Sequence, residues 1–223
     1  METIKTNKRY ETILFDLDGT LTDSQEGIIK SVQYALCKMG IKVKDKTELI
    51  PFIGPPLLYS FQHFYGLSEA DAREAIQYYR EYFERDGMYD NRVFDGITDI
   101  LAMLKKHGKT LLVATSKPTI YADPIVRHYG MGDYFKEIIG ASTDGTRTEK
   151  GQVIAEALRH TDSSKEAVLM IGDREHDVLG AREHGIDVLA VGFGYGTQEE
   201  RDLHKPDYYC ATVADLANFL SRI

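Results

Sequence analysis

A short apolar run stands directly before two aspartates near the start of the chain. Thr12-Ile13-Leu14-Phe15 is followed by Asp16-Leu17-Asp18-Gly19. A run of this length that ends close to a glycine is more typical of a buried parallel strand than of a helix. Open α/β sheets bind ligands at the carboxyl ends of their strands. The stretch therefore predicts two acids at a sheet edge where a ligand can bind.

The spacing of the two acids leaves two interpretations open. Alternate strand residues point to opposite faces, but a turn from Leu17 to Gly19 can bring Asp18 back toward Asp16. The two carboxylates then share one pocket. The other interpretation is a strand followed by a solvated acidic turn, and the flanking sequence has to decide between them.

Composition narrows the class of protein. The 223 residues carry a formal net charge of -8, whereas binding nucleic acid or an anionic membrane requires a basic surface. Cys37 and Cys210 lie far apart without C-x-x-C spacing, which argues against a disulfide framework or a zinc site. The first residues are polar, and no apolar run approaches about 20 residues, so we expect no secretion signal, no membrane span and a cytoplasmic protein.

The stretch from residue 22 to 88 has the pattern of successive helices. Apolar residues recur at helical spacing after Asp23 or Ser24, either of which can cap the first helix. Further helices are predicted over 47–53 and 57–65, on either side of a Gly-Pro-Pro break. Ser68 with Asp71 resembles a capping box that opens the last helix of the block.

From residue 93 onward the pattern alternates between strands and helices. After a helix that ends at His107-Gly108, the predicted strands are 109–115, 135–140, 167–171, 188–192 and 208–211, and the predicted helices between and after them are 151–161, 176–185 and 215–223. This order predicts an α/β fold, a doubly wound parallel sheet covered on both faces. We expect a core domain of residues 1–21 and 89–223, with 22–88 inserted as an all-helical cap domain.

Polar residues follow several of the predicted strands, as they follow the first. Thr115-Ser116-Lys117 comes after one apolar run, Lys150 precedes a helix, and Asp173 and Asp177 come after another run. All of them are expected at the same sheet edge. Acids, a hydroxyl and a lysine are the groups that metal-assisted phosphoryl transfer requires.

These residues resemble the motifs of the haloacid dehalogenase-like hydrolase superfamily, and within it the phosphoglycolate phosphatase-like group with a small helical cap. The stretch 15–21, Phe-Asp-Leu-Asp-Gly-Thr-Leu, is similar to the first motif and Thr115 to the second. Lys150 corresponds to the third, and Gly172-Asp173 with Asp177 to the fourth. The resemblance implies a Rossmann-like core with an inserted helical cap.

The resemblance also implies roles for these residues. Asp16 is the nucleophile that forms an aspartyl-phosphate, and Asp18 is the acid and then the base. Thr115 and Lys150 hold the phosphoryl group. Mg²⁺ is expected on Asp16, the backbone carbonyl of Asp18, Asp173 and Asp177. Further phosphate or substrate contacts are expected from Leu17, Gly19, Ser116, Lys117, Gly54 and Arg147.

Several of these residues have a simpler interpretation. Asp177 is also an acid in the first turn of a helix, where the helix dipole favours it. Lys117 is the alternative to Lys150 as the lysine of the third motif, and the order of the motifs along the chain favours Lys150. Ser116 is also a turn residue, and Gly54 a helix break. Arg174 and His176 either orient acids and substrate or are solvated loop residues.

The expected function is a Mg²⁺-dependent phosphatase that acts on a small soluble phosphate monoester, with phosphoglycolate as the default substrate. A nucleoside 5'-monophosphatase or a pyrophosphatase of the same family is the alternative. A non-enzymatic, receiver-like phospho-acceptor is the alternative from a different class. The sequence does not decide between a monomer and a weak homodimer.

Overall fold

The structure of the protein is a computed structural model that describes residues 8–223. The chain divides into two compact units. The first consists of the described residues up to Thr22 together with Val93–Ile223, and the second is Asp23–Arg92. The division into a core domain, 1–21 with 89–223, and a cap domain, 22–88, stays a prediction.

A parallel sheet is the centre of the first unit. The strands of the described chain are β1 (Thr12–Phe15), β2 (Thr22–Asp23), β3 (Arg92–Val93), β4 (Thr110–Pro118), β5 (Glu137–Ala141), β6 (Val168–Gly172), β7 (Asp187–Val191) and β8 (Tyr208–Cys210). Six of these form one sheet in the order β5-β4-β1-β6-β7-β8 with parallel neighbours, and β2 pairs with β3. The order runs outward from β1 in both directions, which confirms the predicted doubly wound α/β class.

Helices cover this sheet. The described α-helices are α1 (Gln25–Lys38), α2 (Leu57–Tyr65), α3 (Glu69–Arg85), α4 (Ile97–Lys106), α5 (Thr119–His128), α6 (Lys150–Leu158), α7 (Glu175–His184), α8 (Gln198–His204) and α9 (Val213–Leu220). The first three belong to the second unit and the others to the first. Among residues 8–223, no helix combines the length and the apolar character needed to cross a membrane.

Strand β1 is buried on both faces. Leu14 packs in a cluster with α6 and α7 residues such as Val153 and Val178, while Ile13 and Phe15 point to the opposite face and are also fully buried. Burial on both faces explains why the strand appears in the sequence as an unbroken apolar run. The hydrophobic core therefore fixes the strand whose carboxyl end carries Asp16.

The second unit is helical, as its sequence pattern predicts. The Ser68 hydroxyl accepts a hydrogen bond from the Asp71 N–H, which caps α3. The helix predicted over 47–53 is a 3₁₀-helix, Lys46–Phe52, with Pro51 inside it. Proline has no N–H to donate, and short 3₁₀ segments tolerate this loss better than an α-helix does.

The ends of several elements add detail to these expectations. Ser24 is the N-cap residue of α1 without a capping hydrogen bond from its hydroxyl, and the Gln25 N–H donates to Oδ1 of Asp23 at 3.4 Å. Strand β4 extends to Pro118, where the predicted strand ends at Thr115, and Pro118 pairs with Ala141 across a register shift. Proline is compatible with this position because the register shift between Ala114 and Pro118 interrupts the regular strand pairing. The sequence did not predict helix α8, because this helix is only seven residues long and mostly polar.

Two glycines allow close backbone contact inside the second unit. Gly27 in α1 donates its N–H to the carbonyl of Asp90 at 3.0 Å. A Cβ atom on Gly27 would overlap with the carbonyl oxygen of Gly87, which lies in the 3₁₀-helix Gly87–Tyr89. Gly87 in turn has the Ser31 hydroxyl close by. Helix α1 therefore requires glycine at this contact.

We expect Gly27→Ala to destabilise the protein by about 1–3 kcal/mol, because the added methyl group overpacks this contact. Thermal unfolding followed by circular dichroism measures the change. Cys37→Ala is the matched control, since Cys37 is exposed on the same helix. Equal melting temperatures for Gly27→Ala and the wild type would show that α1 can move away from Gly87 at little cost.

Candidate active site

The predicted site residues of the core meet at the carboxyl edge of the sheet. Phe15 at the end of β1 is level with Val113 of β4 and Ile171 of β6. Asp16, Thr115 and Asp173 follow within two residues of these positions. The Asp16 N–H donates to the Ile171 carbonyl at 2.9 Å, which continues the β1–β6 pairing by one residue. Parallel pairing therefore brings residues from distant parts of the sequence to one edge.

A tight turn after Asp16 places Asp18. Gly19 has a φ of 81°, a left-handed conformation that favours glycine. The Gly19 N–H donates to the Thr22 carbonyl at 2.8 Å, and the Leu17 carbonyl accepts from the N–H groups of Leu21 and Thr22 at 3.0 Å each. Asp18 is 8% exposed, so the turn is not a solvated acidic loop. The Leu17 side chain is buried, and the contacts predicted for Leu17 and Gly19 with substrate stay predictions.

Lys150 joins two of the acids. It is the first residue of α6 and is 5% exposed. Its Nζ lies 2.7 Å from Oδ1 of Asp16 and 2.7 Å from Oδ1 of Asp177. Burial lowers the pKa of Lys150, but the carboxylates of Asp16 and Asp177 outweigh this effect and raise it above the ordinary lysine value. Lys150 is therefore a buried cation that neutralises part of an acidic cluster.

Asp16, Asp173 and Asp177 form that acidic cluster. One carboxylate oxygen from each lies within 4.8 Å of the others, and all three residues are buried. Burial raises the pKa of Asp16 above its ordinary value, against the opposing charge of Lys150. Burial also raises the pKa of Asp173 well above its ordinary value, and the charges of Asp177 and Asp16 add to this effect. The cluster is thus short of positive charge.

The cluster fits a divalent cation. Oδ1 of Asp173 is buried and has no hydrogen-bond donor among the described residues. Buried carboxylate oxygens are costly unless a donor or a cation compensates them. Three carboxylates from three different positions are the hard oxygen ligands that Mg²⁺ and related cations take. Asp16, Asp173 and Asp177 are the residues that would hold such an ion.

Lys117 contacts Asp18. Its Nζ lies 2.8 Å from Oδ2 of Asp18, and both side chains are at most 10% exposed. The Lys117 N–H donates to the Thr115 hydroxyl oxygen at 3.2 Å, so the turn 115–117 is folded against its first residue. Hydrogen bonding from Thr115 also lowers the pKa of Asp16, after the larger effects of burial and neighbouring charges. The two lysines therefore pair with different acids. Lys150 pairs with Asp16 and Asp177, and Lys117 pairs with Asp18.

Two other predicted contacts stay predictions, and Arg174 has a partner within its own unit. The Arg147 guanidinium donates from Nε to the Gly140 carbonyl at 2.9 Å, so its predicted anion contact stays a prediction. Gly54 belongs to the second unit, where it has a φ of 108°, and its substrate contact also stays a prediction. Arg174 pairs with Glu200 through Nη2 at 2.9 Å instead of being a solvated loop residue.

Sequence reasoning missed one backbone donor at the site. The Tyr195 N–H donates to Oδ2 of Asp173 at 2.6 Å. Tyr195 lies in a loop after β7 with glycines at 192, 194 and 196. The alternation of glycines after a predicted strand is the sequence signal that indicates a close backbone approach to another group.

Comparison with known proteins identifies the family of the chain. The family model described as haloacid dehalogenase-like hydrolase matches residues 13–191. A 5'-nucleotidase of Pseudomonas aeruginosa is 50% identical over 212 residues, which are 95% of this chain and 96% of that protein. The tyrosine-protein kinase PtkA of Mycobacterium tuberculosis is 45% identical over 186 residues, which are 83% of this chain and 63% of that protein.

A solved structure is also similar over almost the full length. A predicted phosphatase from Clostridium acetobutylicum has a TM-score of 0.92 and 43% identity, with 96% of this chain and 100% of that chain covered. The family model covers most of the chain, and the matched residues include Asp16, Thr115 and Asp173. The chain therefore belongs to the haloacid dehalogenase-like hydrolase family, as a phosphoric monoester hydrolase.

Proposed function

We propose that the protein is a Mg²⁺-dependent phosphatase that hydrolyses small phosphate monoesters through an aspartyl-phosphate on Asp16. One observation carries the proposal: a buried Asp16 carboxylate lies 2.7 Å from the Lys150 ammonium group and within 4.8 Å of two further buried acids. A carboxylate held in this way is oriented for attack, and a positive charge is already beside it.

In the first step a carboxylate oxygen of Asp16 attacks phosphorus and the bond between phosphorus and the ester oxygen breaks. Asp18 in its protonated form gives its proton to the departing oxygen, so the product is a neutral alcohol. The Thr115 hydroxyl and the turn at Ser116 and Lys117 donate to the phosphoryl oxygens. Asp16 then carries the phosphoryl group as an acyl phosphate.

In the second step water attacks phosphorus of the acyl phosphate. Asp18, now a carboxylate, takes a proton from that water, and the bond between phosphorus and the Asp16 oxygen breaks. The products are inorganic phosphate and free Asp16. Lys117, whose Nζ is 2.8 Å from Asp18, fixes the position of this carboxylate while it exchanges protons. Each step therefore uses a residue that the fold already holds in place.

Electrostatics explains why cations are needed. Two like unit charges 4 Å apart repel by about 1 kcal/mol in water and by more in a drier site. Asp16 has to approach a phosphate that is itself an anion. Asp16, Asp173, Asp177 and the backbone carbonyl of Asp18 would hold a divalent cation, which would supply positive charge beside the transferring group. Mg²⁺ is the proposed ion, because it prefers oxygen ligands and commonly accompanies phosphate chemistry.

For the substrate we propose nucleoside 5'-monophosphates first. The support is the relative from Pseudomonas aeruginosa, which is a 5'-nucleotidase and matches almost the full chain at 50% identity. Phosphoglycolate, the default expected from the sequence resemblance, is the second candidate, and a pyrophosphate the third. Small soluble phosphate esters are the proposed partners, and a cytoplasmic location is part of the proposal.

Two other functions, a receiver-like switch and a kinase, are disfavoured. A receiver-like switch has to preserve its acyl phosphate, whereas Asp18 beside Asp16 provides a base for its hydrolysis. The mycobacterial relative is a tyrosine-protein kinase, but this chain spans 63% of that protein, so its activity is not carried over here. Water is the acceptor that the proposal requires.

We expect Asp16→Asn to reduce turnover of p-nitrophenyl phosphate by at least about 10³-fold, because the amide is a poor nucleophile. Chelation of divalent cations should abolish wild-type turnover, and added Mg²⁺ should restore it. Asp99→Asn is the matched control, since Asp99 is an exposed acid on α4. Persistent turnover in Asp16→Asn, or in fully chelated enzyme, would remove the nucleophile or the metal from the mechanism.

Asp18→Asn separates the roles of the two acids. Asp16 remains able to attack a substrate with a good leaving group, whereas the base for the second step is missing. We expect steady-state turnover to fall and a phosphorylated protein to accumulate, detected by intact-protein mass spectrometry after addition of p-nitrophenyl phosphate. A variant with normal steady-state rates would show that another group moves the protons.

A panel of phosphate esters tests the substrate. We expect nucleoside 5'-monophosphates to have a higher kcat/KM than phosphoglycolate or pyrophosphate, measured by phosphate release at a fixed Mg²⁺ concentration. The reverse order, with phosphoglycolate preferred by 10-fold or about 1.4 kcal/mol in transition-state binding, would replace the first candidate by the second.

A further inference from the structure

A second layer of residues holds the loop that carries two of the acids. The acidic loop, residues 172–177, runs from the end of β6 into α7 and contains Asp173 and Asp177. The α8 segment, residues 192–204, follows β7 and contains the glycine-rich stretch and helix α8. Both lie in the first unit. The α8 segment contacts the acidic loop through backbone and through side chains.

The backbone contact fixes Asp173. The Tyr195 N–H donates to Oδ2 of Asp173 at 2.6 Å, which leaves Oδ1 without a donor in the described part of the chain. A Cβ atom on Gly196 would overlap with the carbonyl oxygen of Asp173, so the two backbones touch at this point. The α8 segment therefore determines which oxygen of Asp173 is available to a cation.

A side-chain pair holds the next residue of the loop. Glu200 accepts from Nη2 of Arg174 at 2.9 Å and from Nε at 3.2 Å. The two side chains are 11% and 16% exposed, so the pair is largely shielded from water. The backbone N–H of Arg174 donates to Oδ2 of Asp177 at 3.1 Å. Glu200 is thus linked through Arg174 to Asp177, the acid at the end of the acidic loop.

Additional contacts make the arrangement rigid. His204 Nε2 lies 2.8 Å from Oε2 of Glu175. The Arg201 guanidinium donates to the Gly196 carbonyl at 3.1 Å, and the Glu200 N–H donates to the Thr197 hydroxyl at 3.1 Å. The segment therefore contacts the acidic loop at three residues, Asp173, Arg174 and Glu175, and has hydrogen bonds within itself.

We infer that Glu200 is a positioning residue that preorganises the cation-binding acids through its pair with Arg174. Asp16, Asp173 and Asp177 repel one another, so without restraint the acidic loop would move away from Asp16. Partners behind the ligands commonly set metal affinity in this way. The inference rests on the proposed function in one respect, namely that Asp173 and Asp177 bind the metal.

Calorimetric titration of the substrate-free protein with Mg²⁺ alone tests the inference. Glu200→Gln keeps the size of the side chain and removes its charge, and it should raise the Kd for Mg²⁺ by about 10-fold. Glu200→Asp keeps the charge on a shorter side chain and should give an intermediate Kd. Glu199→Gln is the matched control, because Glu199 is an exposed acid on the same helix; its Kd should equal that of the wild type.

Positioning has to be separated from a simple effect of charge. Glu200→Gln leaves Arg174 without its acid, and a freed guanidinium would by itself repel Mg²⁺. The double variant Arg174→Gln/Glu200→Gln removes both charges. We expect its Kd to remain raised by about 10-fold, since the link between α8 and the acidic loop is still missing. Recovery of the wild-type Kd in the double variant would overturn the inference.

The controls distinguish this inference from the proposed function. In the presence of a chelator Glu200→Gln should melt at a lower temperature than Glu199→Gln, because it removes one charge of a largely buried ion pair. Both variants should be folded at the temperature of the titration, and saturating Mg²⁺ should restore the turnover of Glu200→Gln. If wild-type protein takes up no Mg²⁺, the proposed metal site is wrong. If the wild type takes it up and Glu200→Gln binds it equally well, the positioning role alone is wrong.

Discussion

The Lys150 ammonium group lies 2.7 Å from the carboxylates of both Asp16 and Asp177, and the rest of the site depends on this contact. Asp16, Asp18, Asp173 and Asp177 are each less than 10% exposed, and so is Lys150. Burying four acids near one another is unfavourable unless cations compensate them. Lys150 and Lys117 compensate two charges, and the remaining negative charge favours a divalent cation.

The fold provides this arrangement from parts that are far apart in sequence. The core packs β1 on both faces, which fixes Asp16 at the end of the strand. Lys150 is 134 residues away and reaches Asp16 because α6 begins beside the sheet edge. The α8 segment lies behind the acidic loop, where it contacts Asp173 and Arg174. The packed strand β1, the charged cluster and the α8 segment therefore all contribute to the site at one edge of the sheet.

The sequence predicted the fold class and the residues at strand ends because short-range patterns encode both. An apolar run that stops at an acid gives the strand, the edge and the candidate residue together. The partners of these residues were not predictable in the same way. The contacts of Lys117 with Asp18 and of Arg174 with Glu200 join residues separated by 99 and 26 positions, and no periodicity connects them. The 3₁₀-helix at Lys46–Phe52 shows a related limit, since an apolar pattern does not specify the helix type.

The charged cluster also limits where substrate specificity can arise. In the proposed mechanism Asp16, Lys150 and the acidic loop act on the phosphoryl group, which is the same in every phosphate monoester. Their contacts therefore contribute equally to the transition states of different substrates, and equal contributions do not discriminate between them. In the same mechanism Asp18 gives its proton to the ester oxygen, and this proton transfer is the same for any alcohol. Selection between a nucleoside and a smaller leaving group has to come from residues outside the cluster, and changes there leave the chemistry at Asp16 intact.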